Sequence, residues 1–274
     1  MARAAVPGRL AQRLTWRAAR LAERHDETPT ARTLVFDTPG WPGHLPGQHV
    51  DVRLTAEDGY STQRSYSLAA PADDGRIELT VQRIADGEVS PYLTEVLAIG
   101  DPVEIRGPVG GWFVWRPGDA APVLAMAGGS GIVPLMAMIR ARRAASSRAP
   151  FRLIYSVRTP AEVYYADELG APHRRTGEPP LSETAAAPWH PASQDAGGLD
   201  VTYLFTRAAP EEWPRPPGRL RAADVTAGGW PPELRPNCFV CGPTGFVETA
   251  ADILVALGHD PARVRTERFG PSGG

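Results

Sequence analysis

The chain has 274 residues, 42% of them hydrophobic, with a formal net charge of −2 and only two cysteines. The length allows two domains, and the near-neutral charge argues against nucleic acid or a membrane surface as the main partner. Two cysteines exclude a disulfide scaffold and a four-cysteine iron–sulfur cluster within the chain. All 29 basic residues are arginine, which excludes a lysine Schiff base. No apolar run follows the arginine-rich start, so we expect no signal peptide and a cytoplasmic protein.

The first part of the chain, from residue 16, consists of short strand-like runs separated by turn residues. The runs are TLVFD (33–37), QHVDVRLT (48–55), RSYSLAA (64–70), RIELTVQRI (76–84) and DPVEIRGP (101–108). Runs of this length and spacing predict an antiparallel β-barrel or sandwich. SPYLTEVLAIG (90–100) predicts a short helix within it. In RSYS the period of a strand places Arg64 and Tyr66 on one face.

After residues 116–119, RPGD, strands alternate with helices. The predicted strands are 121–127, 151–157, 201–206 and 237–242, and the predicted helices are 132–143, 162–169 and 246–258. This alternation predicts a doubly wound parallel sheet covered on both faces. We therefore expect a β-barrel domain over 16–117 and an α/β domain over 118–274, with a long surface loop over 171–200.

The segment 122–139 has the length of a membrane span and carries no charge. Glycines and a proline interrupt it, so we expect a buried strand, a turn and a buried helix, and no insertion into a membrane.

Two glycine-rich turns follow predicted strands of the second domain, at GGSGIVP (128–134) and CGPTG (241–245). The carboxyl ends of parallel strands bind ligands, and helix N-termini attract phosphate. Either turn could also be a turn without function, and Cys241 a buried apolar residue. Zinc or dithiol chemistry at Cys238 and Cys241 is disfavoured, because zinc needs more ligands and residues three apart on a strand face opposite ways. No metal site is predicted.

Seven segments in this order resemble the ferredoxin–NADP reductase superfamily over residues 16–270. They are RSYS (64–67), GEVSPYL (87–93), GPVGGWF (107–113), AGGSGIVPLMAMIR (127–140), YSVRTP (155–160), CGPTGF (241–246) and ERF (267–269). The resemblance implies a flavin-binding barrel followed by a nucleotide-binding domain. It also implies FAD, or less often FMN, as cofactor and NADPH or NADH as hydride donor.

The resemblance assigns the flavin site to the third predicted strand and the turn after the fourth. Arg64 would pair with the flavin phosphates, for which a forked cation is suited, and Tyr66 would lie against the flavin ring. Ser67 would approach the reactive edge of the ring. The remaining residues implied at the flavin are Ser65, Gly87, Val89, Ser90 and Phe269.

The resemblance also assigns the nucleotide site. Cys241 and Glu267 would lie where nicotinamide meets flavin and, with Ser67, form the catalytic set. The phosphates and ribose would contact residues of four segments, one at the end of each predicted strand of this domain: Gly128, Gly129, Ser130, Gly131, Arg158, Thr206, Arg207, Gly242 and Pro243. We favour NADPH over NADH because arginines cluster after the second and third strands and no acidic residue stands beside Arg158.

The implied activity is hydride transfer from NADPH to bound FAD, followed by electron transfer to a separate protein. A ferredoxin or the metalloprotein component of an oxygenase is the expected acceptor. Two alternatives stay open: a reductase that releases reduced flavin, and a non-catalytic flavin-binding electron-transfer or regulatory module.

Overall fold

The computed structural model describes residues 14–171, 193–194, 198–211 and 213–270. These residues form two six-stranded sheets, one from each part of the chain, with the helices packed mainly on the second. The predicted fold class, an antiparallel barrel followed by a parallel sheet with helices, is confirmed.

The first sheet is antiparallel, in the order β4-β3-β6-β1-β2-β5. Its strands are β1 (Trp16–Thr28), β2 (Ala31–Asp37), β3 (His49–Thr55), β4 (Ser61–Ser67), β5 (Arg76–Gln82) and β6 (Pro102–Val109). An isolated bridge between Leu68 and Leu79 joins the two edges and closes the barrel. Alternating side chains such as Leu34, Phe36, Val50 and Val52 fill the interior.

Two elements of the barrel differ from the predicted pattern. β1 was not among the predicted strands, because bulges between Leu21 and Glu23 and between Asp26 and Thr28 break its alternation. The helix predicted over 90–100 is shorter. One turn of α-helix, α1 (Val89–Pro91), continues as a π-helix (Tyr92–Val96), which ends at Leu97, where ψ changes to 119°.

The second sheet is parallel except for its last edge strand, in the order β12-β11-β7-β8-β10-β9. Its strands are β7 (Val123–Gly128), β8 (Phe151–Val157), β9 (Ser193–Gln194), β10 (Leu199–Phe205), β11 (Asn237–Pro243) and β12 (Val264–Phe269). The helices are α2 (Ile132–Ala144), α3 (Ala222–Gly228) and α4 (Thr244–Ala256). The chain order reverses between β7 and β11, which makes their carboxyl ends a topological switch point.

Two predictions in this part of the chain are wrong. Residues 162–169 form no α-helix. A 3₁₀ turn (Pro160–Glu162) leads into further turns, in which the consecutive residues Val163, Tyr164 and Tyr165 are all buried, a pattern that one face of a helix cannot provide. The loop predicted over 171–200 contains β9 and the start of β10; the rest of it, 172–192 and 195–197, lies outside the described residues.

The apolar segment 122–139 folds as predicted, into β7, a glycine turn and α2. Within the described parts of the chain, no helix has both the length and the apolarity that a bilayer span requires.

Candidate functional site

Strand β4 presents Arg64 and Tyr66 on one face, as the alternation predicts. Their antiparallel partners are Val52 and Val50, both fully buried. Tyr66 packs against the barrel core, and burial raises the pKa of its phenol above the usual range. Arg64 is exposed, and its only hydrogen bond within the described residues goes to the carbonyl of Gln63 at 2.7 Å. No carboxylate of the described residues pairs with this guanidinium, and it stands on the same face as a half-buried ring. This combination suits a ligand with an anionic part and a flat part.

Ser65 faces the other way. Its hydroxyl donates to Asp51 Oδ1 at 2.7 Å, and Arg106 forms two hydrogen bonds with Oδ2 of the same carboxylate. Burial alone would raise the pKa of Asp51, but these bonds hold it below the usual range. The side chain of Ser65 therefore stabilises the sheet from the face opposite Arg64.

The turn from Gly87 to Ser90 lies beside β4 and is held by its own contacts. The Ser90 hydroxyl accepts the backbone N–H of Ile84 at 3.0 Å, and the N–H of Gly87 donates to the carbonyl of Ile84 at 2.9 Å. A Cβ on Gly87 would lie 3.2 Å from Ser90 Oγ. Val89 and Ser90 are both buried, so their side chains belong to the packing that holds the turn in place.

The two glycine-rich turns meet at the switch point between β7 and β11. A Cβ on Gly131 would lie 2.1 Å from the carbonyl oxygen of Cys241, and one on Gly242 would lie 3.1 Å from Gly128. Glycine is required at these positions because the two backbones touch. Gly131 and Gly242 thus pack the turns together, and Gly129, at φ +53° with open space around it, faces outward.

A cavity of about 630 Å³ opens over these turns. This volume is in the range of ligand and cofactor sites. Eight of the residues predicted to bind nucleotide or flavin line it: Gly128, Gly129, Ser130, Arg158, Thr206, Arg207, Pro243 and Phe269. The barrel contributes Thr30 and Gln82 to the same wall, so the cavity lies between the two sheets. Its arginines and glycine turns fit a phosphate-bearing ligand.

The acidic residue Glu162 also lines this cavity and pairs with Arg158, with Arg158 Nη1 3.6 Å from its Oε1. The expectation that no acid stands beside Arg158 is therefore wrong, because the turn at Pro160 brings Glu162 back to the end of β8. Arg219 is a third arginine of the cavity. Arg215 is instead bound to the Asp224 carboxylate, at 2.7 and 2.8 Å.

The three predicted catalytic residues converge where the two sheets meet, and His49 joins them. His49 lies opposite Ser67 in the β3–β4 ladder, and Glu267 lies opposite Cys241 in the β11–β12 ladder. His49 Nδ1 is 3.9 Å from Glu267 Oε1. We call these four residues, Ser67, His49, Glu267 and Cys241, the junction.

Burial sets the protonation of the junction. It raises the pKa of Glu267 to about 7 and lowers the pKa of His49, which the charge of Asp51 partly offsets. Burial, with the charge of Glu267, also raises the pKa of Cys241 well above the usual range. Near neutral pH the junction holds a neutral imidazole, a protonated thiol and a carboxyl group close to its midpoint, so Glu267 is the group poised to exchange a proton.

Cys238 and Cys241 point to opposite faces of the second sheet, as expected for residues three apart. Cys241 packs in the core that includes α2, whereas Cys238 packs in the core beneath α4. Among the described residues, no three His, Cys, Asp or Glu side chains are grouped as metal ligands would be.

The sequence did not identify His49, Glu162, Thr30 or Gln82 as site residues. His49 follows Gln48 in an ordinary strand pattern, and only the pairing register places it opposite Ser67. Thr30 and Gln82 belong to the barrel, and only the packing of the two sheets brings them to the nucleotide turns.

Comparisons with known proteins agree with this geometry. Residues 18–114 match the family model of the oxidoreductase FAD-binding domain. The glycine betaine monooxygenase reductase subunit of Chromohalobacter salexigens is 30% identical over 248 residues, which cover 89% of this chain and 61% of the relative. The ferredoxin–NAD(P)(+) reductase component of the naphthalene 1,2-dioxygenase/salicylate 5-hydroxylase systems of Ralstonia is 27% identical, covering 83% and 61%.

The fold has solved counterparts. The FAD/NAD-binding domain of the nitric oxide dioxygenase of Vibrio cholerae superimposes with a TM-score of 0.75 at 23% identity, covering 93% of this chain and 99% of that domain. The chain spans 36% of the length of one curated relative and about three-fifths, 59–61%, of three others. The family model over residues 18–114, the relatives and the fold confirm the predicted resemblance of the chain to the ferredoxin–NADP reductase superfamily.

Proposed function

We propose that the chain is an NADPH-dependent flavoprotein reductase that transfers a hydride to bound FAD and passes electrons to a separate acceptor protein. The observation that carries the proposal is the junction. There His49 lies opposite Ser67, which is on the strand with the flavin motif, and 3.9 Å from Glu267. Glu267 in turn lies opposite Cys241, which precedes one of the nucleotide turns. The relatives named above are reductase components of oxygenase systems, which supports a ferredoxin or an oxygenase metalloprotein as the acceptor.

The flavin would be held by the barrel, which we assign to 16–117. Bound FAD supplies the capacity to accept two electrons at once and release them singly. Arg64 would neutralise its phosphates and the turn at Gly87, Val89 and Ser90 would donate backbone N–H groups. Tyr66 would support the ring, and Phe269 would cover it from the second domain.

The nucleotide would be held by the second domain, which we assign to 118–274. Its diphosphate would contact Gly128, Gly129, Ser130 and Gly131, with Gly242 and Pro243 opposite. Glu267 would exchange a proton at the junction, Cys241 would pack against the nicotinamide, and Ser67 would hydrogen-bond the reactive edge of the flavin.

The preference for NADPH rests on the arginines of the cavity. Arg158, Arg207 and Arg219 line it together with Thr206, and forked guanidinium groups suit a 2′-phosphate. The negative charge of Glu162 offsets part of this positive charge. Because Glu162 is paired with Arg158, Arg207 and Arg219 are the arginines that would bind the phosphate. NADH stays the alternative donor.

The test is anaerobic mixing of the purified protein with NADPH and, separately, with NADH, followed by absorbance in the flavin band. We expect a yellow protein that keeps its flavin through gel filtration and bleaches faster with NADPH. Flavin lost on the column but consumed in turnover would support the flavin-releasing alternative. A protein that does not bleach even after FAD is added would contradict the proposal.

A further inference from the structure

Arg140 on α2 connects the second domain to the barrel. Its Nη1 donates to the carbonyl of Ala69 at 3.1 Å and to Glu78 Oε1 at 2.5 Å, both in the barrel. Its Nε and Nη2 donate to the two carboxylate oxygens of Glu168 in the second domain. The side chain is only 19% exposed, and its guanidinium carbon lies 4.9 Å from the centre of the Tyr165 ring. One side chain thus holds groups of both domains in a fixed fork.

Tyr165 forms the second connection. Its backbone N–H donates to Glu27 Oε2 at 2.8 Å, and its hydroxyl lies 2.5 Å from Thr80 Oγ1, both in the barrel. Thr80 is itself hydrogen-bonded to Thr33 at 2.8 Å. Tyr165 has φ +55°, an uncommon conformation for a residue with a Cβ, which persists only where surrounding contacts enforce it. We call Arg140, Tyr165, Glu168, Glu27, Glu78 and Thr80 the seam.

The seam is joined directly to both halves of the site. Arg140 lies on the helix that begins after the Gly129–Gly131 turn, and Tyr165 follows Tyr164, which lines the nucleotide cavity. Ala69 stands two residues after Ser67. Beside the junction the domains are joined by other contacts: Arg265 Nη1 donates to the carbonyl of Val114 at 2.7 Å, and the rings of Phe113 and Phe239 pack edge to face, 5.5 Å apart. The seam is the separate polar connection, and it holds the orientation of the two domains on the side of α2.

We propose that Arg140 and Tyr165 are positioning residues for hydride transfer: they set the angle between the two domains and so the distance between nicotinamide and flavin. The inference rests on the proposed function. Hydride transfer needs reacting carbons about 3–3.5 Å apart, and a displacement of about 1 Å can cost roughly 100-fold in rate. Neither residue lines the nucleotide cavity, so binding of the nucleotide itself is not their role.

The test uses Arg140→Lys, which keeps the charge but cannot bridge Ala69, Glu78 and Glu168 at once, and Tyr165→Phe, which removes only the bond to Thr80. Stopped-flow reduction by saturating nucleotide should be slowed about 10- to 100-fold by Arg140→Lys and less by Tyr165→Phe. The nucleotide Kd and the flavin content should stay near the wild-type values. The matched control is Arg53→Ala, which removes a two-bond pair with Glu104 that lies entirely within the barrel.

A second readout needs neither cofactor nor turnover. Both native cysteines are buried, so spin labels can be directed to Arg24→Cys on β1 and Asp252→Cys on α4, which are exposed. The distance distribution between the labels in the apoprotein should be narrow in the wild type and in Arg53→Ala. It should broaden or shift in Arg140→Lys and Tyr165→Phe.

Rates and distances equal to those of the wild type would overturn the inference. A slower rate without any change in the distances would overturn it too, because the loss would then not come from domain orientation. If the wild type were not reduced at all, the proposed function would fail, whereas the distances would still decide whether the seam orients the domains.

Discussion

The imidazole of His49 lies 3.9 Å from the carboxylate of Glu267 and joins the second-domain strand β12 to the barrel strand β3. The two residues are 218 positions apart in the chain, as 267 − 49 shows. Burial keeps the imidazole neutral near pH 7, so it does not stabilise the carboxylate by charge. Glu267 therefore keeps a pKa raised by its own burial beside a group that can accept or donate a hydrogen bond.

The first prediction concerns Glu267→Gln and stability against pH. Burial raises the pKa of Glu267 from 4.5 to about 7, so the folded state favours the protonated form. The contribution of Glu267 to stability is fully present below pH 4.5, where its carboxyl group is protonated in both states. That contribution is lost as pH rises towards 7, by about 3 kcal/mol in all. Glutamine has no such loss, so urea unfolding should show the variant gaining on the wild type between pH 5 and 7, with a plateau above. A difference that does not change with pH would contradict the raised pKa.

The second prediction concerns Arg64 and flavin retention. Removing a charge-assisted hydrogen bond should weaken FAD binding by about 1.5–3 kcal/mol, or roughly 10- to 100-fold, in Arg64→Ala. Arg64→Lys should recover part of the affinity, because the charge remains and the fork is lost. Fluorescence titration of the apoprotein with FAD measures this. Arg24→Ala is the control, since Arg24 is an exposed arginine of the same domain. An equal loss of FAD affinity in both variants would contradict the assignment of Arg64 to the flavin phosphates.

The third prediction concerns Arg207→Ala and the choice of nucleotide. If the guanidinium contacts a 2′-phosphate, the KM for NADPH should rise by roughly 10-fold or more, the size expected for a lost charge-assisted bond, and the KM for NADH should change little. Steady-state rates with both nucleotides give the comparison. Equal effects on the two would show that Arg207 does not recognise the phosphate.

The fourth prediction concerns Glu162→Gln. The substitution removes the ion pair with Arg158, frees that guanidinium and removes a negative charge from the cavity wall. We expect the KM for NADPH to fall several-fold, with that for NADH nearly unchanged, at low ionic strength, where such charges act most strongly. Glu211→Gln, in the exposed segment after β10, is the control for a general change of charge. A KM for NADPH that rises would mean that Glu162 holds Arg158 in its binding position.

A part of the site can be predicted from the sequence when its position depends on neighbouring residues, and not when it depends on how distant segments pair. Strand period placed Arg64 and Tyr66 together, and glycines after strands marked both nucleotide turns, because these signals are local. The positions of His49 and Glu162 depend on register and on a turn that reverses the chain. β1 was not predicted because bulges interrupt its alternation. The segment at Tyr165 resembles a helix in composition, but buried contacts with Glu27 and Thr80 hold it in a left-handed turn.

The last prediction concerns Gly131→Ala at the contact between the two glycine turns. Gly131 has ordinary helical dihedral angles, with φ −63°, so glycine is needed there for space and not for conformation. A Cβ would lie 2.1 Å from the carbonyl oxygen of Cys241, which is backbone and cannot rotate away. We expect a loss of about 1–3 kcal/mol in the free energy of unfolding, the cost of overpacking. Nucleotide binding should weaken in the same variant, because β7 and β11 must separate at the cavity floor.

Gly118→Ala is the control, with no atom within 4 Å of its Cβ, and should stay within roughly 0.5 kcal/mol of the wild type. Urea unfolding and calorimetric titration with nucleotide measure both effects, and a Gly131→Ala protein as stable as Gly118→Ala would refute the close contact of the turns.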